Sequence, residues 1–379
     1  MYDVYEIRKD FPILSELING KPNTFLDTAA SAQKPRQVIE KMNEVYFGQY
    51  ANVHRGSYYL SEQATAEYEN ARRIAADFIN AASEKEIVFT RNATESINLV
   101  AACWGRKNLK PGDEVLISEA EHHANLVPWQ MVRDQTGCTL NFFAVNDDGS
   151  FNPENFYRAL TPRTKLVGVA GISNVLGTVF PVKEIAAAAH ANGALCLVDA
   201  CQSVVHQKID VKDIGCDFLA FSGHKTMGPA GIGVLYGKKE RLDVMEPLWY
   251  GGGMVDVVGN EDTSFTTIPY RLEAGTPNYP GTIGLGQALH YLQEIGTKEI
   301  AAWEKELTDT LEQRLSERKY VHVLGGNVEK QSVISVVVDG IHPYDMASFL
   351  NKYGIAVRSG NHCAQPMLRR LGYDSVIRF

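Results

Sequence analysis

The sequence predicts an α/β protein, a large and mainly parallel sheet covered by helices on both faces, followed by a smaller C-terminal α/β unit. Three observations carry that expectation. Short apolar, β-branched runs alternate with helical patterns between about residues 85 and 237, the signature of βαβ units. A chain of 379 residues, 45% hydrophobic and 22% charged, is long and apolar enough to bury one large core or two. A Gly/Pro/Thr-rich stretch at 249–282 then gives way to one long helical pattern before short elements resume.

Taken in order, the runs at 86–90, 114–118, 166–171, 194–200, 218–222 and 231–236 read as strands. Helical patterns fill 94–104, 126–136 and 182–192, and Gly193 follows the last of them where a helix end favours left-handed backbone. Ligands of such sheets gather at the carboxyl ends of the strands. Gly251-Gly252-Gly253 neither follows a strand nor opens a helix, so it reads as a loop and not as a dinucleotide fingerprint. A helix at 283–316 is expected to bridge to the smaller unit, built from strands at 333–338 and 355–358 and helices at 343–352 and 366–371. The expected division is a large domain at 18–292, with 1–17 and 293–379 forming the small one.

Composition narrows the function. The balance of 37 basic and 45 acidic residues, net −8, lacks the basic footprint of a nucleic-acid binder. No run approaches the ~18 apolar residues of a membrane span, and the charged N-terminus has no signal core, so a cytoplasmic chain without membrane or nucleic-acid partners is expected. The six cysteines, at 103, 138, 196, 201, 216 and 363, form no CxxC pair, which favours reduced thiols. His122-His123 and His362-Cys363 lack the paired spacing of structural zinc sites, so no metal is expected.

Asp199 closes the apolar run 195–198, and Lys225 follows the next strand in Ser222-Gly223-His224-Lys225. A lysine able to form a Schiff base and an acid able to pair with a pyridinium nitrogen are the minimum equipment for pyridoxal 5′-phosphate. Thr94 opens a helix after Asn92-Ala93, where backbone N–H, hydroxyl and helix dipole make an anion site that Ser222 and His224 can extend. Each residue also has a plain structural alternative: Asp199 as a helix cap, Lys225 as a solvated lysine, Thr94 as an N-cap. Among the cysteines, five lie in or beside predicted elements and read as small hydrophobes. Cys363 instead sits in a loop between Gly360 and Pro366, flanked by Arg358 and His362, a setting that exposes a thiol and favours its thiolate.

These residues resemble a known family. Ser222-Gly223-His224-Lys225, Glu121-His122-His123-Ala124-Asn125, Ser173-Asn174, Val198-Asp199-Ala200-Cys201-Gln202, Glu273-Ala274-Gly275-Thr276-Pro277 and 358–366, Arg-Ser-Gly-Asn-His-Cys-Ala-Gln-Pro, are similar to cysteine desulfurases of the SufS type. Those enzymes belong to the class V aminotransferase group, with the fold type I architecture of pyridoxal-phosphate enzymes and a homodimer. The resemblance implies that Lys225 links covalently to the cofactor, Asp199 pairs with its ring nitrogen and His122 stacks on the ring. It implies that Gln202 bonds the ring hydroxyl, Asn174 reaches the ring edge, and Thr94, Ser222 and His224 bind phosphate, with Thr276 reaching the other subunit's phosphate. Arg378 would clamp the substrate carboxylate, Arg358 would face the sulfur, and His54 and Arg55 would lie near the mouth. Cys363 would take sulfur from L-cysteine as a persulfide and leave L-alanine, supplying a Suf-type acceptor protein for iron–sulfur cluster assembly.

Two positions depart from the family pattern: Asn361 stands where relatives often carry histidine, and Ala93 where they often carry threonine. The chain also stops at Phe379, one residue beyond Arg378, so an incomplete C-terminal end at which Arg378 frays is expected. The rival readings are a selenocysteine lyase (substrate L-selenocysteine) or another pyridoxal-phosphate β-eliminating enzyme, and, from a different class, an inactive sulfur carrier or scaffold.

Overall fold

A computed structural model describes residues 2–326 and 328–379. Its centre is a seven-stranded sheet in the spatial order Ile87–Thr90, Gly233–Gly237, Phe218–Ser222, Leu195–Asp199, Thr164–Ala170, Glu114–Ser118, Thr139–Phe143. From Phe218–Ser222 to Thr139–Phe143 all neighbours pair in parallel. Gly233–Gly237 runs antiparallel to both strands beside it. The apolar runs are continuous because both faces are covered, and successive residues serve opposite faces. Phe218 and Ala220 join one buried cluster with Trp129 and Ile97, while Leu219 and Phe221 join another with Tyr68, Ile185 and Leu289.

Three departures from expectation have local causes. The long pattern at 283–316 is two helices, Tyr279–Ile295 and Thr297–Ser316, because Gly296 takes φ 93°, a left-handed value that ends the first helix. The apolar periodicity continues across the break, which is why it reads as one helix. The run at 355–358 serves two sheets: Ile355–Ala356 pairs with Thr24–Phe25, and Arg358–Gly360 enters a four-stranded sheet with Val321–Val323, Ser335–Val338 and Val376–Arg378. In that sheet Val376–Arg378 lies between Ser335–Val338 and Arg358–Gly360. Arg378 is therefore buried and paired on both sides, and the expected fraying is not found. Ile334, Val336 and Ile377 pack with Leu311 and Leu315 of the helix Thr297–Ser316, joining this sheet to the rest.

Candidate active site

The carboxyl ends of the parallel strands, the start of the helix Ala93–Val100 and the turn before the helix Gln365–Arg370 enclose one cavity of about 260 Å³. Thr94, His122, Asn174, Asp199, Gln202, Ser222, His224, Lys225, Arg358, Cys363 and Arg378 line it. Eleven residues named from the sequence thus meet at one place. Thr276, His54 and Arg55 do not join them; they line a second hollow together with Tyr270 and Gly253. His54 there hydrogen-bonds Glu69 at 2.8 Å and meets the rings of Tyr68 and Tyr270 edge-on.

Asp199 ends one strand of the sheet, and Lys225 lies in the turn that follows the adjacent strand. Asp199 is opposite Ala220 in the register, buried, and accepts the Cys201 N–H at 2.9 Å. Lys225 follows in the 3₁₀ turn Gly223–Lys225, which is fixed by the Gly223 N–H to Ile232 O and the Gly228 N–H to Gly223 O, both 2.9 Å. His122 accepts the Ala124 N–H on Nδ1 at 3.0 Å, so the neutral ring carries its proton on Nε2. Burial holds that imidazole below its ordinary pKa, against the opposing pull of Asp199. Burial, with Lys225 and Lys34 adding repulsion, also takes His224 down to about 4.

The anion end is built on the helix N-terminus. Asn92 caps it through Glu95 N at 2.9 Å, and Ser222 Oγ accepts the Ala93 N–H at 2.8 Å. The Thr94 N–H is left pointing at the exposed end, and the Ser222 hydroxyl keeps its own proton to donate. A side chain at Gly233 would stand 2.5 Å from Asn92 Cα, so only glycine lets the strand pass beneath this turn. The arrangement fits pyridoxal 5′-phosphate: an acid at one end, an N-terminal anion site at the other, a lysine between them. Asn174 Oδ1, buried without a hydrogen-bond partner among the described residues, awaits a donor in the same wall.

Asp27 is the residue that sequence reasoning passed over. Its carboxylate receives Arg358 Nε at 3.1 Å and Nη2 at 2.9 Å, and Arg378 Nη2 at 3.3 Å. Arg378 also donates to Asn174 O at 3.0 Å. Arg358 is thus held in an ion pair, half exposed, on the wall of the cavity that also carries Cys363. Nothing local in the sequence marks Asp27, since its partners lie more than three hundred positions away. Asp27→Ala leaves the 4%-exposed Arg378 guanidinium without a countercharge and should lower the unfolding free energy by about 2–4 kcal/mol. Arg358→Ala, removing a half-exposed partner, should cost about 1 kcal/mol or less. Urea unfolding of the two variants checks the ordering; equal losses would refute it.

The cysteines separate by exposure. Cys103, Cys138, Cys196 and Cys216 are buried, and Cys201 is half-buried beside Asp199, where burial raises its thiol pKa. Cys363 is exposed. Its neighbour His362 is buried and taken down to about 4, by burial first and then by Arg378. That imidazole is neutral at pH 7, so it brings no positive charge to the thiolate, contrary to the reading of the flanking residues.

Comparison with known proteins extends this geometry. A probable cysteine desulfurase of Halalkalibacterium halodurans is 46% identical over 376 residues, 99% of this chain and 92% of that protein. A cysteine desulfurase of Synechococcus elongatus is 45% identical, and there the chain spans 60% of the relative's length. The apo structure of a cysteine desulfurase from Thermococcus onnurineus superposes with a TM-score of 0.95 at 40% identity, over all of this chain and 93% of that one. The profile of the aminotransferase class-V family matches residues 24–379, which contain every residue lining the cavity, and the chain belongs to that family.

Proposed function

We propose that the protein is a pyridoxal 5′-phosphate-dependent cysteine desulfurase that converts L-cysteine to L-alanine and retains the sulfur as a persulfide on Cys363. One observation carries the reading: an exposed thiol opens into the cavity that Lys225 and Asp199 share. When bound, the cofactor supplies an electron sink that weakens bonds at the substrate's α- and β-carbons.

The side chains divide the remaining work. Thr94, Ser222 and His224 would donate to the phosphate, His224 as a neutral imidazole. Asp199 would pair with the ring nitrogen, and the neutral His122 imidazole would meet the ring without a competing charge. Gln202 donates its amide to Ala29 O at 2.7 Å and, lining the cavity, would meet the ring hydroxyl. Arg378, steadied by Asp27 and Asn174 O, meets the substrate carboxylate. The Lys225 amine takes and returns the α-proton. The Cys363 thiolate then bonds to the substrate sulfur, the carbon–sulfur pair stays with carbon, and a proton replaces the sulfur to give alanine.

The second hollow fits a subunit-spanning site. Exposed Thr276 stands on a loop held by Glu273, which receives Arg72 at 2.6 and 2.9 Å and the Phe89 N–H at 2.6 Å. In a homodimer this rigid loop would offer Thr276 to the partner's phosphate, with His54 and Arg55 beside that mouth. The persulfide would pass to a sulfur-acceptor protein and so to iron–sulfur cluster assembly. Purified protein supplied with cysteine and a thiol reductant should release alanine and sulfide in equal amounts. Pyruvate and ammonia instead of alanine would favour simple elimination, and no turnover would favour the carrier or scaffold reading.

A further inference from the structure

We propose that Asn361 is a positioning residue for sulfur transfer, an inference that rests on the reading of Cys363 as the sulfur acceptor. The Ala364 N–H donates to Asn361 O at 2.9 Å and closes a four-residue turn. Its two central residues, His362 at φ 51° and Cys363 at φ 56°, both adopt left-handed backbone that side chains disfavour. Such a conformation persists only where the surroundings over-determine it. The surroundings here do so through four hydrogen bonds beyond the one that closes the turn. Asn361 Oδ1 accepts the Cys363 N–H at 3.0 Å. Asn174 Nδ2 donates to His362 O at 2.7 Å, and the His123 N–H donates to Cys363 O at 2.8 Å. Val376 O takes the His362 ring at 3.3 Å, which turns that side chain inward while the Cys363 side chain stays exposed at the cavity.

Most of these anchors are backbone groups or residues that already serve the cofactor pocket. Asn361 is the exception: among the described residues its side chain hydrogen-bonds nothing but the turn, and its acceptor is what holds the Cys363 amide. The same device recurs elsewhere in the chain with a different residue. His122 Nδ1 accepts the Ala124 N–H and His342 Nδ1 accepts the Tyr344 N–H, each two residues ahead. A histidine at position 361 therefore offers an equivalent acceptor, and what the position requires is an acceptor two residues before the cysteine, not an amide.

The test compares Asn361→Ala with Asn361→Asp and Asn361→His in the cofactor-loaded protein. Three quantities are measured: amide hydrogen exchange in the 361–365 segment, kcat for alanine formation, and the Kd for cysteine from the cofactor spectrum. Loss of the acceptor should speed exchange at Cys363 and lower kcat by about 10- to 100-fold, the penalty of a misplaced reacting atom, while Kd stays within about 2-fold. Both acceptor-bearing variants should recover most of kcat. Wild-type kcat in Asn361→Ala overturns the proposal. So does equal loss in all three variants, or a Kd that worsens in step with kcat, since either marks general damage. If the wild type forms no alanine, the desulfurase reading fails by itself; exchange still judges the turn, and unchanged exchange in Asn361→Ala refutes Asn361's part in it.

Discussion

Lys225→Ala should abolish cysteine turnover while leaving the fold intact. The residue lies on the surface of the cavity and not in the core, at the end of the short turn Gly223–Lys225, so its side chain can be removed without opening a void. The turn itself is held by backbone bonds of Gly223 and Gly228 that no longer depend on the lysine. What disappears is the one amine placed between the Asp199 end and the anion end of the cavity. Loss of a positioned proton carrier alone costs about 10²–10⁴-fold in rate, and loss of the covalent attachment adds to it. Borohydride reduction of the wild type followed by peptide mapping should place the cofactor label on Lys225. A label on another lysine, or an alanine variant with near-normal turnover, would overturn the assignment.

The central strands are legible in sequence because each is a short run buried on both faces and cut off by a polar residue at the cavity edge, Asp199 and Ser222 among them. The edge strand Thr139–Phe143 is not legible: it is mostly exposed or half-buried, so Thr139 and Asn141 dilute the apolar signal. The helices Arg36–Gly48 and Tyr59–Phe78 escape for another reason. The first buries Val38 and Val45, and the second buries mostly small residues such as Ala64, Ala71 and Ala75 with Arg72 among them, where both pack against the helix Tyr279–Ile295, so few large apolar side chains mark either face. In the site, residues with intrinsic chemistry at strand ends could be found from their position. Asp27 could not, because its value comes from two arginines brought to it by tertiary structure. Nor could the neutrality of His362, since burial by distant elements decides it.

Cys363→Ala separates desulfuration from the rest of the chemistry. On the proposed mechanism, binding the amino acid and moving its α-proton depend on Lys225, Asp199, His122 and Arg378, none of which hydrogen-bonds the Cys363 side chain among the described residues. The variant should therefore still bind cysteine and change the cofactor spectrum with a near-normal Kd. Alanine formation should fall by about 10²–10³-fold or more, because no other exposed cysteine is available to accept the sulfur. Cys201 cannot substitute: it is half-buried beside Asp199, and both burial and that carboxylate keep its thiol protonated. The backbone of the turn can tolerate the change, since alanine adopts the same left-handed conformation that Cys363 already holds. Selenocysteine offers the decisive contrast. Its carbon–selenium bond is weaker and selenium leaves more readily, so release from selenocysteine should survive in large part in Cys363→Ala. In the wild type, cysteine without reductant should leave one extra sulfur atom on the Cys363 peptide, removable by thiols. Near-normal alanine from cysteine in Cys363→Ala would remove Cys363 as acceptor and make a lyase the better description. Equal losses for cysteine and selenocysteine would instead show that the thiol supports the carbon–chalcogen cleavage itself.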